Sequence, residues 1–159
     1  MKFNELINAP LANLHTMREL QLILNFLDLQ KDDKVLEIGT GSGTATFIIS
    51  KHVRCITGID ISKPLINFLN KNTKTNNIDF YAIDATKDPP TEFINKFDKC
   101  ICIDVMEHVE DSKALLNFMQ RILKIGGRLG ITFPINNIHH GRNYFTKKDV
   151  YELFKDFDV

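Results

Sequence analysis

Val35-Leu36-Glu37-Ile38-Gly39-Thr40-Gly41-Ser42-Gly43-Thr44 is the stretch that decides the fold. Val35 to Ile38 is a short run, apolar except for one acid, and such runs read as strands of a parallel sheet buried on both faces. Glycine then recurs at alternate positions, Gly39, Gly41 and Gly43. Directly after a strand, glycine permits a tight turn and lets a ligand approach the backbone with no Cβ in the way. Thr44 to Ser50 contains few helix breakers and is predicted helical. The turn therefore lies at a helix N-terminus, where free N–H groups bind polar or anionic ligand groups.

Spacing narrows the ligand. A dinucleotide fingerprint, G-x-G-x-x-G, laid on Gly39 and Gly41 would need its third glycine where Thr44 stands. A P-loop needs a G-K-[ST] ending, which the stretch lacks. What fits is E-x-G-x-G-x-G. Further along, Cys55 to Ile59 forms a second apolar run ending in Asp60, about twenty residues beyond the turn, where an acid accepts ribose hydroxyls in nucleotide-binding α/β folds. A carboxylate suits that task because it only accepts hydrogen bonds. Ile78 to Ile83 runs into Asp84-Ala85, and Lys99 to Ile103 runs into Asp104-Val105-Met106-Glu107-His108-Val109. Ligands of open α/β sheets bind at the carboxyl ends of the strands, so these acids converge on one crevice. Singly, each acid reads as well as a loop residue capping the next helix.

With these motifs the chain resembles the class I S-adenosylmethionine (SAM)-dependent methyltransferases. The resemblance implies an α/β, Rossmann-like, three-layer fold with a mainly parallel sheet of order 3-2-1-4-5. It places Glu37 near the amino-acid end of the cofactor, with Gly39, Thr40 and Gly41 curving beneath it. Asp60 and Ile61 then stand at the ribose, Asp84 and Ala85 at the adenine amino group, and Asp104 and Val105 at the end of the fourth strand. The Asp104 to Val109 segment is similar to the D/E-V-x-E-H-V segment of the small-molecule branch, which includes quinone-biosynthesis enzymes. One departure stands out: family members usually add a sixth strand and an antiparallel seventh, and the sequence ends at Val159 before that hairpin.

At 159 residues the chain is expected to form one domain, 1–159, with an N-terminal helix or lid in 1–30 and the Rossmann-like core in 31–159. Lysine plus arginine equals aspartate plus glutamate, 20 each, which argues against non-specific nucleic-acid binding driven by a basic excess. Cys55, Cys100 and Cys102 fall in predicted buried strands without C-x-x-C spacing, so no metal site is expected and a cytoplasmic location with reduced thiols is. Neither a signal pattern nor a membrane-length apolar run is present, so no membrane partner is expected.

The helices follow from capping and periodicity. Thr16-Met17-Arg18-Glu19 reads as a capping box, with residues before it irregular and Met17, Leu20, Ile23, Leu24 and Leu27 at helical spacing. Ser62 reads as an N-cap, as do Asp111 or Ser112 and Thr146, while Gly126-Gly127 is expected to end the fourth-strand crossover helix before a strand at Arg128 to Phe133. That strand would be a bare edge. A homodimer through it or through the last helix is one expectation; a covering loop, 135–144, is the other.

For the chemistry, His108 is the base candidate, since it follows strand four at the mouth of the crevice and histidine titrates near working pH. Pinning its own loop is its structural alternative. His139, His140 and His15 are secondary; Phe3, Phe145 and Phe154 read first as core, with Phe3 or Phe145 as a wall of an apolar acceptor pocket the alternative. A small-molecule acceptor is favoured. A nucleic-acid or protein methyltransferase, or a SAM-binding subunit needing a partner, is the alternative; for nucleic acid the motives are Lys63, Lys71 and Lys74, or Arg142, Lys147 and Lys148. Asp88-Pro89-Pro90-Thr91 lacks the aromatic that grips a base and reads as a turn.

Overall fold

A computed structural model describes residues 12–132 and 145–155. His139, His140, Arg142, Phe3, Phe133, the His15 side chain and the whole of the proposed covering loop, 135–144, lie outside the described positions. Five parallel strands, β1 (Lys34–Ile38), β2 (Cys55–Asp60), β3 (Ile78–Ala82), β4 (Phe97–Cys102) and β5 (Leu123–Ile131), pair in the order β3-β2-β1-β4-β5. This is the order the resemblance implies. Parallel neighbours need crossovers: α2 (Thr44–Ile49) joins β1 to β2, α3 (Lys63–Asn72) joins β2 to β3 and α4 (Ser112–Ile122) joins β4 to β5. A 3₁₀ turn (Thr91–Phe93) lies between β3 and β4, and α1 (Ala12–Leu27) and α5 (Lys147–Phe154) stand before and after the sheet.

Alternation along the strands sorts the core into two layers. Val35, Ile56 and Ile101 pack with Leu20, Ile23 and Leu27 of α1, Ile49 of α2 and Ile66 and Leu69 of α3. Leu36, Ile38, Cys100 and Cys102 pack on the other face with Leu115, Met119 and Ile122 of α4 and Phe154 of α5. Full burial of a leucine such as Leu36 contributes about 1.5–3 kcal/mol, so both layers are strongly specified. Phe145 is buried in the second layer, which supports its reading as core. Cys55 is only half-buried, unlike the other two cysteines.

Two boundaries differ from the sequence expectation. The first helix begins at Ala12, so Thr16 lies inside it rather than at its cap. Ala12 and Leu14 are strong helix formers, and local propensity carries the helix past an apparent capping box. The second difference concerns Gly126-Gly127. Helix α4 ends earlier, at Ile122, and Leu123 turns straight into extended backbone to pair with Phe97. The glycines sit instead within β5, where the register jumps from Phe97↔Leu123 to Lys99↔Arg128 and Gly126 takes φ 77°. Extra residues on one strand, with a positive-φ glycine, make a bulge. Elsewhere the expected caps stand: the Asp111 side chain accepts from the Ala114 N–H, and Thr146 and Asp149 form a complete capping box. Ser62 holds the N-cap position of α3 without a side-chain bond.

Candidate functional site

A cleft of about 670 Å³ opens at the carboxyl ends of β1 to β4. Gly39 and Ile38 form its floor, Asp60 and Ile61 one wall, Asp84 and Ala85 the next, and Asp104, Val105 and His108 the side after β4. The convergence expected of the strand-end acids is therefore observed for Asp60, Asp84 and Asp104.

Each acid is held by its own loop. Asp60 accepts from the Gly41 N–H at 3.2 Å through Oδ2 and from the Ser62 N–H at 2.9 Å through Oδ1, tying the end of β2 to the glycine turn. Asp84 accepts through Oδ1 from the Thr86 hydroxyl at 2.6 Å and its N–H at 2.9 Å, and these bonds hold its carboxyl below the usual range. Asp104 adopts φ 53°, a left-handed conformation that aspartate tolerates better than most residues, and its N–H donates to the Thr132 hydroxyl at 3.3 Å. The bend at Asp104 brings Val105 down onto the glycine turn. A Cβ built on Gly39 would lie 2.2 Å from Val105 Cγ2, and Gly39 has φ 73°. Packing and backbone conformation both demand glycine there. At Gly41, φ 49°, a Cβ would meet only the Gly39 carbonyl at 3.8 Å. Room is left beside this backbone for a ligand.

Glu37 and Thr40 stand behind the turn, not on the cleft wall. Glu37 is 4% exposed, and its Oε2 lies in bonding reach of the Thr40 hydroxyl at 3.1 Å and of the Thr46 hydroxyl from α2. Burial, opposed by those hydroxyls, pushes its pKa up to about 7, with Asp60 adding a smaller upward effect. Gly41 likewise borders the cleft only through its bond to Asp60. His108 stands on a single 3₁₀ turn, Met106–His108, exposed at the cleft mouth, with its N–H donating to the Val105 carbonyl at 2.9 Å.

Several cleft residues escaped the sequence reading. Leu115 carries an ordinary core signal, Thr86 and Glu110 carry only loop signals, and Val109 and Asp111 read as motif and cap rather than as cleft wall; their place on the cleft depends on how the segments after β3 and β4 fold back. Glu107 is buried as well, its Oε2 has no hydrogen-bond partner among the described residues, and burial raises its pKa. Among the described residues no histidine, cysteine and carboxylate cluster is arranged to hold a metal, and no helix is long and apolar enough to cross a membrane.

Comparison with known proteins agrees with this geometry. The sequence profile of the methyltransferase domain family matches residues 29–157. The chain is 42% identical over 76 residues to ribosomal RNA small subunit methyltransferase A of Wigglesworthia glossinidia brevipalpis, an alignment covering 47% of this chain and 29% of that protein. It is 29% identical over 140 residues to ubiquinone biosynthesis O-methyltransferase of Coxiella burnetii, covering 80% and 58% respectively. The chain thus spans less than two thirds of the length of these curated relatives. Among solved structures, the YcgJ protein from Bacillus subtilis superposes with a TM-score of 0.76 at 19% identity, covering 88% of this chain and 67% of that one, a likeness of fold. With that profile spanning nearly all of a 3-2-1-4-5 sheet, the chain belongs to the class I SAM-dependent methyltransferase family.

Proposed function

We propose that the cleft binds SAM and that the chain transfers the methyl group to a small-molecule acceptor. The observation that carries the cofactor reading is the glycine turn: its backbone is open at Gly41 while Asp60, Asp84 and Asp104 face the same cleft. The residues fit the ligand. Carboxylates accept from ribose hydroxyls and from an adenine amino group. Those same negative charges favour a sulfonium and an ammonium. SAM supplies a methyl group on a positively charged sulfur, open to in-line displacement. The chain's part is to hold donor and acceptor aligned, which alone can account for much of the rate.

For an acceptor whose attacking atom is protonated, His108, which lines the cleft, takes that proton. Its ring would need to reach the acceptor directly or through one water. Charge supports the acceptor class. Asp60, Asp84, Asp104, Glu110 and Asp111 line the cleft against Lys87, a surface that repels a polyanion. This favours a small molecule over RNA, although one relative acts on ribosomal RNA by its name. The test is methyl transfer from radiolabelled SAM to metabolite, RNA, DNA and protein pools. Label in the metabolite pool supports the reading; label confined to RNA replaces it. With an acceptor in hand, His108→Asn is expected to lower turnover by about 10²–10⁴-fold and leave cofactor affinity intact.

Self-association belongs to the same proposal. Strand β5 is one of the sheet's two edges in the described residues, β3 being the other, and unpaired edges recruit partners. Light scattering at micromolar concentration is expected to give the mass of a dimer, and a monomeric mass rejects it.

A further inference from the structure

Behind the cleft, the Glu37, Thr40 and Thr46 oxygens form a closed triangle. Thr40 Oγ1 lies 3.1 Å from Glu37 Oε2 and 2.6 Å from Thr46 Oγ1, and Thr46 Oγ1 closes the third side on the same Oε2. Three oxygen–oxygen contacts need three hydrogens. The threonine hydroxyls bring two, because each carries one donor. With Glu37 ionised, two hydrogens serve only two of the three sides, and either the 3.1 Å Thr40–Glu37 side or one of the two shorter sides is left with no hydrogen, so the ring is open. With Glu37 as a carboxylic acid, each oxygen donates once and accepts once around the ring.

We propose that Thr46 is a positioning residue for the glycine turn, acting through a three-membered hydrogen-bonded ring that requires Glu37 in its acid form. The surrounding structure is shaped for the ring. Glu37 and Gly58 are partners in the β1–β2 register, and a Cβ on Gly58 would lie 2.8 Å from Thr40 Oγ1, so glycine on β2 makes the space the hydroxyl occupies. Thr40 and Thr46 are both buried, 4% and 0% exposed, and water does not compete. The turn hangs from the same residues: the Gly39 and Thr40 N–H groups donate to the Ile59 carbonyl at 2.8 and 3.0 Å, and the Gly43 N–H donates to the Thr40 carbonyl at 2.8 Å. Thr40 is thus pinned by backbone on one side and by the ring on the other.

The charges around Glu37 favour the acid. Asp60 at the end of β2 opposes its ionisation. From β4 comes the Cys102 thiol, which burial keeps neutral, with Asp104 just beyond it. Helix α2, Thr-Ala-Thr-Phe-Ile-Ile, contributes no charged side chain. The shift to about 7 agrees with the proton count. Ionisation as pH rises past neutrality therefore opens the ring and loosens the turn. This rests on the SAM reading only for its ligand-binding arm.

The experiment uses the full chain, its Glu37→Gln, Thr46→Val and Thr46→Ser variants, and S-adenosylhomocysteine as the probe. An infrared band of a protonated carboxyl is expected below neutrality, titrating near pH 7 and absent from Glu37→Gln. Thr46→Val is expected to speed amide exchange at Thr40 and Gly43 and to weaken probe binding, each about tenfold, the effect of one lost buried hydrogen bond. Thr46→Ser, which keeps the hydroxyl, restores both. Absence of any carboxyl band that Glu37→Gln removes overturns the ring, as does Thr46→Val exchange matching the parent. Should the parent chain fail to bind the probe, the SAM reading falls, while band and exchange still decide the ring.

Discussion

Gly39 and Gly126 both take a left-handed backbone, and the structure closes over only one of them. At Gly39 the bend after β4 presses Val105 to within 2.2 Å of where a Cβ would stand, and the backbone is left-handed as well. At Gly126 the backbone is equally left-handed, φ 77°, but nothing lies within 4 Å of a Cβ, and neighbouring Ile125 is fully exposed. A glycine therefore has two separable reasons to be glycine: the conformation it adopts and the space it leaves. Gly39 uses both; Gly126 uses one.

Substitution breaks this comparison most sharply at Gly39. Gly39→Ala combines left-handed strain of roughly 1–2 kcal/mol with overpacking of roughly 1–3 kcal/mol, and a total loss of about 2–5 kcal/mol is expected in urea unfolding. Adding Val105→Ala removes the overpacking part alone, so the pair is expected to be less damaging than the sum of the single changes. Strict additivity would show that Val105 is not what excludes the Cβ.

Next in size is a pH effect from the floor of the same turn. Glu37 has its pKa raised from 4.5 to about 7 by burial, so the folded chain holds this proton more tightly than the unfolded one. Stability from this group is fully present below pH 4.5, is lost as pH rises through about 7, and is flat above. The loss is about 3 kcal/mol across that window. Denaturation from about pH 4 to pH 8 checks it. Glu37→Gln should remove this part of the slope, whereas the lowered carboxyls Asp84, Asp98 and Asp149 act only at more acid pH. An unchanged slope in the variant would locate the titration elsewhere.

Asp60→Ala comes third. It removes the acceptor for the Gly41 and Ser62 N–H groups and the proposed ribose contact, so S-adenosylhomocysteine affinity is expected to fall by about 1–3 kcal/mol by calorimetry. Undiminished affinity would take the ribose assignment away.

How much of this was legible in the sequence depends on whether the signal was local. The strands were plain because Val35–Ile38 and Cys100–Cys102 are buried on both faces and read as apolar runs. Asp60, Asp84 and Asp104 were legible because a strand's carboxyl end has one place to point. Direction within β1 was harder. Glu37 shares the Val35 face by the two-residue period, which carries it toward α2 and Thr46, and only packing reveals that its partner is a hydroxyl nine residues on. Thr46 itself looked like any residue of an apolar helix. The Gly126-Gly127 pair misled for a related reason: a glycine doublet after a helical pattern is the sign of a C-cap, but Leu123 had already left the helix to pair with Phe97.

The smallest effect tests the other half of the comparison. Gly126→Ala meets open space and pays only for a left-handed φ, so it is expected to cost about 1–2 kcal/mol, the low end of the Gly39→Ala loss. Probe affinity should be unchanged, because the bulge belongs to β5 and none of its residues lines the cleft among the described residues. Asparagine, which tolerates this backbone better than alanine, should recover part of the loss at Gly126. At Gly39 it should recover nothing, since Val105 still fills the space. If Gly126→Ala proved as damaging as Gly39→Ala, backbone conformation alone would account for both positions, and the close approach of Val105 would have no part in keeping Gly39 a glycine.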